Sequence, residues 1–228
     1  MLWALKGKCS ERAKKVTNLN LYLLRHGETI YSRSGGYCGD LDPELTPAGQ
    51  QMAAAFARTY VHLPWEAVYV SPKQRTLATA QPLCAAIGLS PQVRDGLREI
   101  SYGAWEGQTN EYVKATYGEE YIRWLTEPAW NPPTGGETAV QIASRAALVI
   151  SEIEQNHLSG NVLVVSHKAT IRIILCSLLG IDLGRYRDRI NTLAGSVSMV
   201  KFDAHGPRLE LLGDRAYMGT ELSSLPGT

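Results

Sequence analysis

The chain has 228 residues, 44% hydrophobic and 20% charged, and its 23 basic residues nearly balance 22 acidic ones for a net charge of +1. That balance suits a soluble globular protein of one large domain and lacks the concentrated basic surface of a nucleic-acid binder. No apolar run approaches the roughly 18 residues of a membrane span, so neither nucleic acid nor membrane is expected as a partner.

Residues 1–17 read as an N-terminal extension. Lys6, Lys8, Arg12, Lys14 and Lys15 stand there against Glu11, with no apolar stretch behind the charges as a secretory leader would need. Three later segments share one pattern, an apolar run followed by polar residues and then a helical stretch. They are NLYLLRHGE (20–28), EAVYVSPKQR (66–75) and NVLVVSHKA (161–169). Continuous Leu, Val and Tyr suit strands buried on both faces, as in a parallel sheet covered by helices.

Helices are expected over 47–60, 72–87, 138–156 and 169–179. The first has Thr46 at its N-cap and Pro47 just inside. Residues 107–135 interrupt the alternation, carrying Trp124, Trp130, Pro132 and Pro133, and read as a lid-like insertion. SVSMVKF (196–202) and RLELLG (208–213) complete the strands. The expectation is a three-layer α/β/α sandwich with a mostly parallel central sheet over 18–214, followed by a C-terminal tail over 215–228. Cys9, Cys38, Cys84 and Cys176 form no CxxC pair and read as reduced thiols of a cytoplasmic protein.

Open α/β sheets bind ligands beyond the carboxyl ends of their strands. The three strand-end tails would therefore bring Arg25, His26, Arg75 and His167 to one edge. Arginine presents a planar fork of donors matched to carboxylate or phosphate, and a neutral imidazole can attack. The combination suits phosphoryl transfer, with arginines holding oxygens while a histidine attacks phosphorus.

Other phosphate chemistries fail on spacing. A cysteine phosphatase needs arginine six residues after its cysteine, where this chain has Lys15, Glu44, Ser90 and Asp182. Neither GxxxxGK[ST] nor GxSxG occurs. Asp40 and Asp42 form a DxD pair, but they follow a turn-rich loop rather than a buried strand, so this loop, with Gly39, reads as the pocket mouth. Glu28 or Glu99 could join the two histidines on zinc, yet neither has the local spacing of a zinc motif, and no metal or cofactor is expected.

With these residues placed, the chain resembles the histidine phosphatase superfamily, which includes cofactor-dependent phosphoglycerate mutases. LLRHGET, LTPAGQQMA, VYVSPKQRTLATA, LREISYGAWEGQT, GGETAVQIASR and VLVVSHKATIR occur in the family's order. The resemblance implies that His26 is the nucleophile and forms a phosphohistidine. Arg25, Arg75 and His167 would then bind the transferring phosphoryl group, and Glu99 would be the general acid and base. A free carboxylate, with a pKa of about 4.3, needs burial or a phosphate neighbour to carry the proton. Where many members have Asn after RHG this chain has Ser32, and where many have Gly after the second histidine it has Lys168. Both are expected to contact substrate, Ser32 through its hydroxyl and Lys168 through its backbone N–H, with the Lys168 ammonium either at a second acidic group or turned to solvent.

Phosphoglycerate mutases carry a longer basic insertion after the acid, whereas residues 100–136 hold only Lys114 and Arg123 as bases. The expected activity is therefore metal-independent hydrolysis of a small-metabolite phosphate ester. Phosphoserine is the first expected substrate, from resemblance to metal-independent phosphoserine phosphatases, and sugar phosphates the second. A mutase and a non-catalytic phospholigand-binding module remain as alternatives. A homodimer stays open as an assembly, and no sequence feature marks its interface.

Overall fold

The computed structural model describes residues 18–227, so the expected N-terminal extension lies outside the described residues. In chain order the elements are β1 (Asn18–Arg25), α1 (Ile30–Ser34), α2 (Pro47–Tyr60), β2 (Trp65–Val70), α3 (Gln74–Ile87) and β3 (Gln92–Val93). Next come α4 (Asn110–Thr116), α5 (Gly118–Thr126), α6 (Ala139–Asn156), β4 (Ser159–Ser166) and α7 (Lys168–Leu179). The chain ends with α8 (Tyr186–Arg189), β5 (Val197–Asp203), β6 (Gly206–Asp214) and α9 (Gly219–Ser223).

The sheet order is β3-β2-β4-β1-β5-β6. The first four strands are parallel, and β5 and β6 are antiparallel additions. Strand side chains alternate between faces, and the alternation builds two cores. Leu19, Leu21, Leu23, Val162 and Val164 face one way, against Ile142, Ile150 and Ile153 of α6 and Ile171 and Ile174 of α7. Leu24, Val68, Val70, Leu163 and Val165 face the other way, against Phe56 of α2 and Ala80 and Leu83 of α3. With both faces covered, polar alternation vanishes, which is why the strands read as unbroken apolar runs.

The insertion has a small core of its own. Trp105 and Trp124 pack on Tyr37, with ring centroids 5.4 and 6.0 Å away, and tie α4 and α5 to the loop between α1 and α2. The C-terminal tail is folded onto the domain rather than trailing from it. Arg215 is buried and donates to the carbonyls of Leu222 and Leu225, and Met218 packs against Met52 and Ala55. Of the tail, Thr228 lies outside the described residues.

The turn after β1 meets the start of α2 backbone to backbone. A Cβ on Gly49 would clash with the Glu28 carbonyl, and one on Gly27 with the Gly49 carbonyl. These contacts are between main chains, so no rotamer change relieves them. Gly49→Ala is expected to cost about 2 kcal/mol, as overpacking typically does. That would lower Tm by roughly 4–8 °C in a chain of this size, read by thermal denaturation.

Candidate active site

The sheet order accounts for the meeting of the two histidines. β1 and β4 are neighbours in register, with Arg25 opposite Ser166. Adjacent strands lie about 4.8 Å apart. The residues that follow, His26 and His167, therefore stand side by side, with ring centroids 5.2 Å apart and edge to face. β2 pairs with β4 on its other side, Val70 opposite Val165, and so delivers Ser71 to His167.

His26 is 5% exposed, and its Nδ1 lies 2.8 Å from the Gly27 carbonyl. A carbonyl oxygen only accepts, so Nδ1 carries the proton and the Nε2 lone pair is left for chemistry. Burial, followed by Arg75 and Arg25, holds the imidazole pKa well below its ordinary 6.5. The ring is thus neutral at physiological pH, as a nucleophile must be.

Arg25 donates from Nη1 to the carbonyls of Thr192 and Gly227, at 2.8 and 3.0 Å, so the C-terminal tail reaches the site. Burial lowers Arg25 to about 10, and it remains a cation at neutral pH. Arg75 is 1% exposed and donates from Nε to His167 Nδ1 at 3.2 Å, from Nη1 to Leu41 O at 2.6 Å and from Nη2 to Gly39 O at 3.2 Å. Gly39, with φ +49°, turns its carbonyl to this guanidinium as part of the pocket mouth. Arginine Nε can only donate, so His167 Nδ1 is unprotonated and Nε2–H donates to Ser71 Oγ at 2.8 Å.

A cavity of about 260 Å³ opens over these strand ends, lined by Arg25, His26, Arg75, Glu99, Ser32, Gly39 and Lys168 among others. His167 stands behind this wall, fully buried, holding Arg75 and flanking His26. Ser32 lines the cavity, and its hydroxyl also serves the cap of α1, accepting from Thr29 N and donating to Thr29 O.

Glu99 caps α7 from far away in sequence. Its carboxylate accepts from the amides of Ala169 and Thr170 at 3.3 Å and from Ile100 N at 2.9 Å. The helix N-terminus otherwise has no side-chain cap, and orphan amides there favour an anion. Glu28 is turned away to Thr46 and Arg33, and Asp40 and Asp42 pair with Lys73, Arg98 and Arg75. Among the described residues no cluster of three His, Cys, Asp or Glu side chains could hold a metal ion.

Sequence reasoning missed two further arginines on the cavity wall, Arg172 of α7 and Arg187 of α8. The spacing of Lys168 and Arg172, one helical turn apart, could have signalled that they share a face. Burial, followed by Arg25 and Arg172, lowers the Lys168 ammonium to about 7.

The buried neutral histidines couple folding to pH. Both folded-state values lie well below 6.5, His167 through burial and then Arg75 and His26. Below about pH 6.5 the unfolded chain therefore binds protons that the folded chain does not, and stability is lost as pH falls. Each histidine is expected to remove up to about 1.4 kcal/mol per pH unit below that point. Urea denaturation at pH 7.5 and 5.5 measures the loss, and His167→Asn should remove about half of the slope.

A neutral histidine beside two arginines and a carboxylate, at the carboxyl edge of a mostly parallel sheet, defines an α/β enzyme built for phosphoryl transfer. The sequence profile of the histidine phosphatase superfamily, branch 1, matches residues 21–215, and the chain belongs to that superfamily. Phosphoserine phosphatase 1 of Hydrogenobacter thermophilus is 33% identical over 168 residues, 74% of this chain and 80% of its own length. YhfR of Bacillus stearothermophilus superposes with a TM-score of 0.81 at 25% identity, covering 88% of this chain and 99% of that one. Mycobacterial glucosyl-3-phosphoglycerate phosphatase does so with a TM-score of 0.78 at 25% identity, over 86% of this chain and 99% of the other. The protein is accordingly a phosphoric monoester hydrolase acting on small phosphate esters. No helix among the described residues is long and apolar enough to cross a membrane.

Proposed function

We infer that the protein hydrolyses the phosphate monoester of a small hydroxy acid, with phosphoserine the first candidate, by a metal-free route through phosphorylated His26. The observation that carries this reading is the Nδ1–H of His26 donating to the Gly27 carbonyl, which leaves Nε2 as the nucleophile at a cavity flanked by Arg25 and Arg75. In the first step the His26 Nε2–P bond forms and the ester P–O bond breaks. Arg25 and Arg75 offset charge on the phosphoryl oxygens. Glu99 is the general acid of this step and gives a proton to the departing alkoxide.

In the second step water attacks phosphorus, the N–P bond breaks and Glu99 takes the water's proton, releasing inorganic phosphate. His167 acts by holding Arg75, and Ser32 by anchoring the loop at the cavity wall. The arginines supply the positive charge that a metal would provide. The named relatives support hydrolysis of a hydroxy-acid ester, since both phosphoserine and glucosyl-3-phosphoglycerate carry a carboxylate beside the phosphate.

The test is phosphate release from phosphoserine, 3-phosphoglycerate, glucosyl-3-phosphoglycerate and several sugar phosphates, with and without chelator. The expected result is release from a carboxylated ester at the same rate in chelator. Loss of activity in chelator would remove the metal-free route. Exchange between phosphoglycerate isomers without net release would replace hydrolysis by mutase activity.

A further inference from the structure

We propose that Lys168, Arg172 and Arg187 form a second anion subsite, which holds an acidic group on the alcohol portion of the ester while His26 takes the phosphoryl group. This rests on the phosphatase reading and adds to it which residues read the leaving group.

Three observations carry the proposal. All three cations line the cavity that His26 and Arg25 line. Lys168 opens α7 directly after His167, and Arg172 follows four residues on along the same face, about 6 Å further by helical rise. α8 packs beside α7 and brings Arg187 to the wall. The row of charge thus starts beside His167 and continues along the α7 and α8 side of the same cavity.

The second observation is that no carboxylate is in contact with the row. Among the described residues, none of the three forms an ion pair. Arg172 donates from Nη2 to the neutral amide oxygen of Asn191 at 3.2 Å, and Arg187 stacks its guanidinium 3.7 Å over the Trp124 ring. Arg172 Nε and Arg187 Nη1 are buried without a hydrogen-bond partner. Glu99 also lines the cavity and attracts Lys168 and Arg172 from a distance, but it forms no ion pair with them and its oxygens contact the amides at the start of α7 and Ile100.

Thirdly, half-buried arginines elsewhere in the chain hold a carboxylate: Arg94 with Glu152, Arg98 with Asp95 and Arg145 with Glu137. Gathering three unpaired cations in a partly desolvated cavity is unfavourable unless an anion arrives. Burial first, and then repulsion from Arg25 and Arg172, lowers the Lys168 ammonium in this surrounding. Arg187 is pre-oriented by the Trp124 face, so little freedom is lost when its fork meets an acid. The acid is a carboxylate or a second phosphate, both of which match that fork.

The experiment compares kcat/KM on four esters: p-nitrophenyl phosphate, glycerol 3-phosphate, 3-phosphoglycerate and fructose 1,6-bisphosphate. The enzymes are wild type, Arg172→Gln, Arg187→Gln and Arg187→Lys, each first checked for Tm. Wild type is expected to prefer an acid-bearing ester over glycerol 3-phosphate. Preference for 3-phosphoglycerate identifies carboxylate, and preference for the bisphosphate identifies phosphate. Each Gln variant is expected to lower that preference ratio about 10–100-fold, the loss typical of a charged hydrogen bond. The change should fall mainly on KM, and Arg187→Lys should restore part of it.

Equal losses on all four esters, or no wild-type preference for an acid-bearing ester, would overturn the subsite while leaving the phosphatase intact. No phosphate release from p-nitrophenyl phosphate by wild type would remove the phosphatase reading and the subsite with it.

Discussion

Replacing His26 by alanine is expected to lower kcat at least about 10⁴-fold, because the route through a covalent intermediate disappears with its nucleophile. The variant should still fold. The two main-chain bonds at this position, His26 N to Ser166 O and Gly195 N to His26 O, do not involve the side chain. Arg25 keeps its Thr192 and Gly227 carbonyls, and Arg75 keeps His167. The phosphate-binding charge therefore survives, and inorganic phosphate is expected to bind the variant with affinity within about tenfold of wild type. The chemistry separates from the binding in a rapid quench with labelled ester. Wild type should carry a protein-bound label that resists alkali and is lost in acid, as an N–P bond is, and His26→Ala none. A labelled His26→Ala, or near-normal turnover in that variant, would assign the nucleophile elsewhere.

Much of this site could be read from the chain because its chemistry is local to strand ends. Leu21–Leu24 followed by Arg25 and His26 announces a buried strand and its polar terminus together, and VLVVSH does the same for β4. Boundaries moved by a residue or two: α3 begins at Gln74 rather than 72, while α2 fills 47–60 as Thr46 and Pro47 indicate. β3 could not be read, since two residues, Gln92 and Val93, carry no periodicity and become a strand only by pairing with β2. Arg187 was equally hidden. In the run GRYRDR it reads as one charge on a solvated helix, and only the packing of α8 beside α7 turns it to the cavity. The segment from Arg215 onward reads from the chain only as a C-terminal tail, yet Gly227 supplies a carbonyl to Arg25, a contact fixed by tertiary folding alone.

Glu99→Gln is expected to lower kcat on alkyl phosphate esters about 10²–10⁴-fold, the usual contribution of a positioned general acid. Two roles meet at this residue and need separating. As a cap, Glu99 accepts from Ile100 and Thr170 on Oε1 and from Ala169 on Oε2. A glutamine amide oxygen can keep the first two bonds, while its NH2 cannot accept from Ala169, so α7 should keep most of its start. Losing the negative end of that arrangement costs about 0.3–1 kcal/mol of helix-dipole energy, a small Tm shift beside the kinetic loss.

The acid role depends on the leaving group. An alkoxide must be protonated as it departs, whereas nitrophenolate leaves as a stable anion. With p-nitrophenyl phosphate, phosphorylation of His26 should therefore persist in Glu99→Gln. The second step still needs a base to take the proton of water, which the amide cannot do. A burst of nitrophenolate close to one equivalent, followed by slow turnover, is the expected stopped-flow trace, and phosphoserine should show no burst. A uniform loss on both esters without a burst would make Glu99 a cap that positions Ala169 and Thr170 rather than the proton carrier.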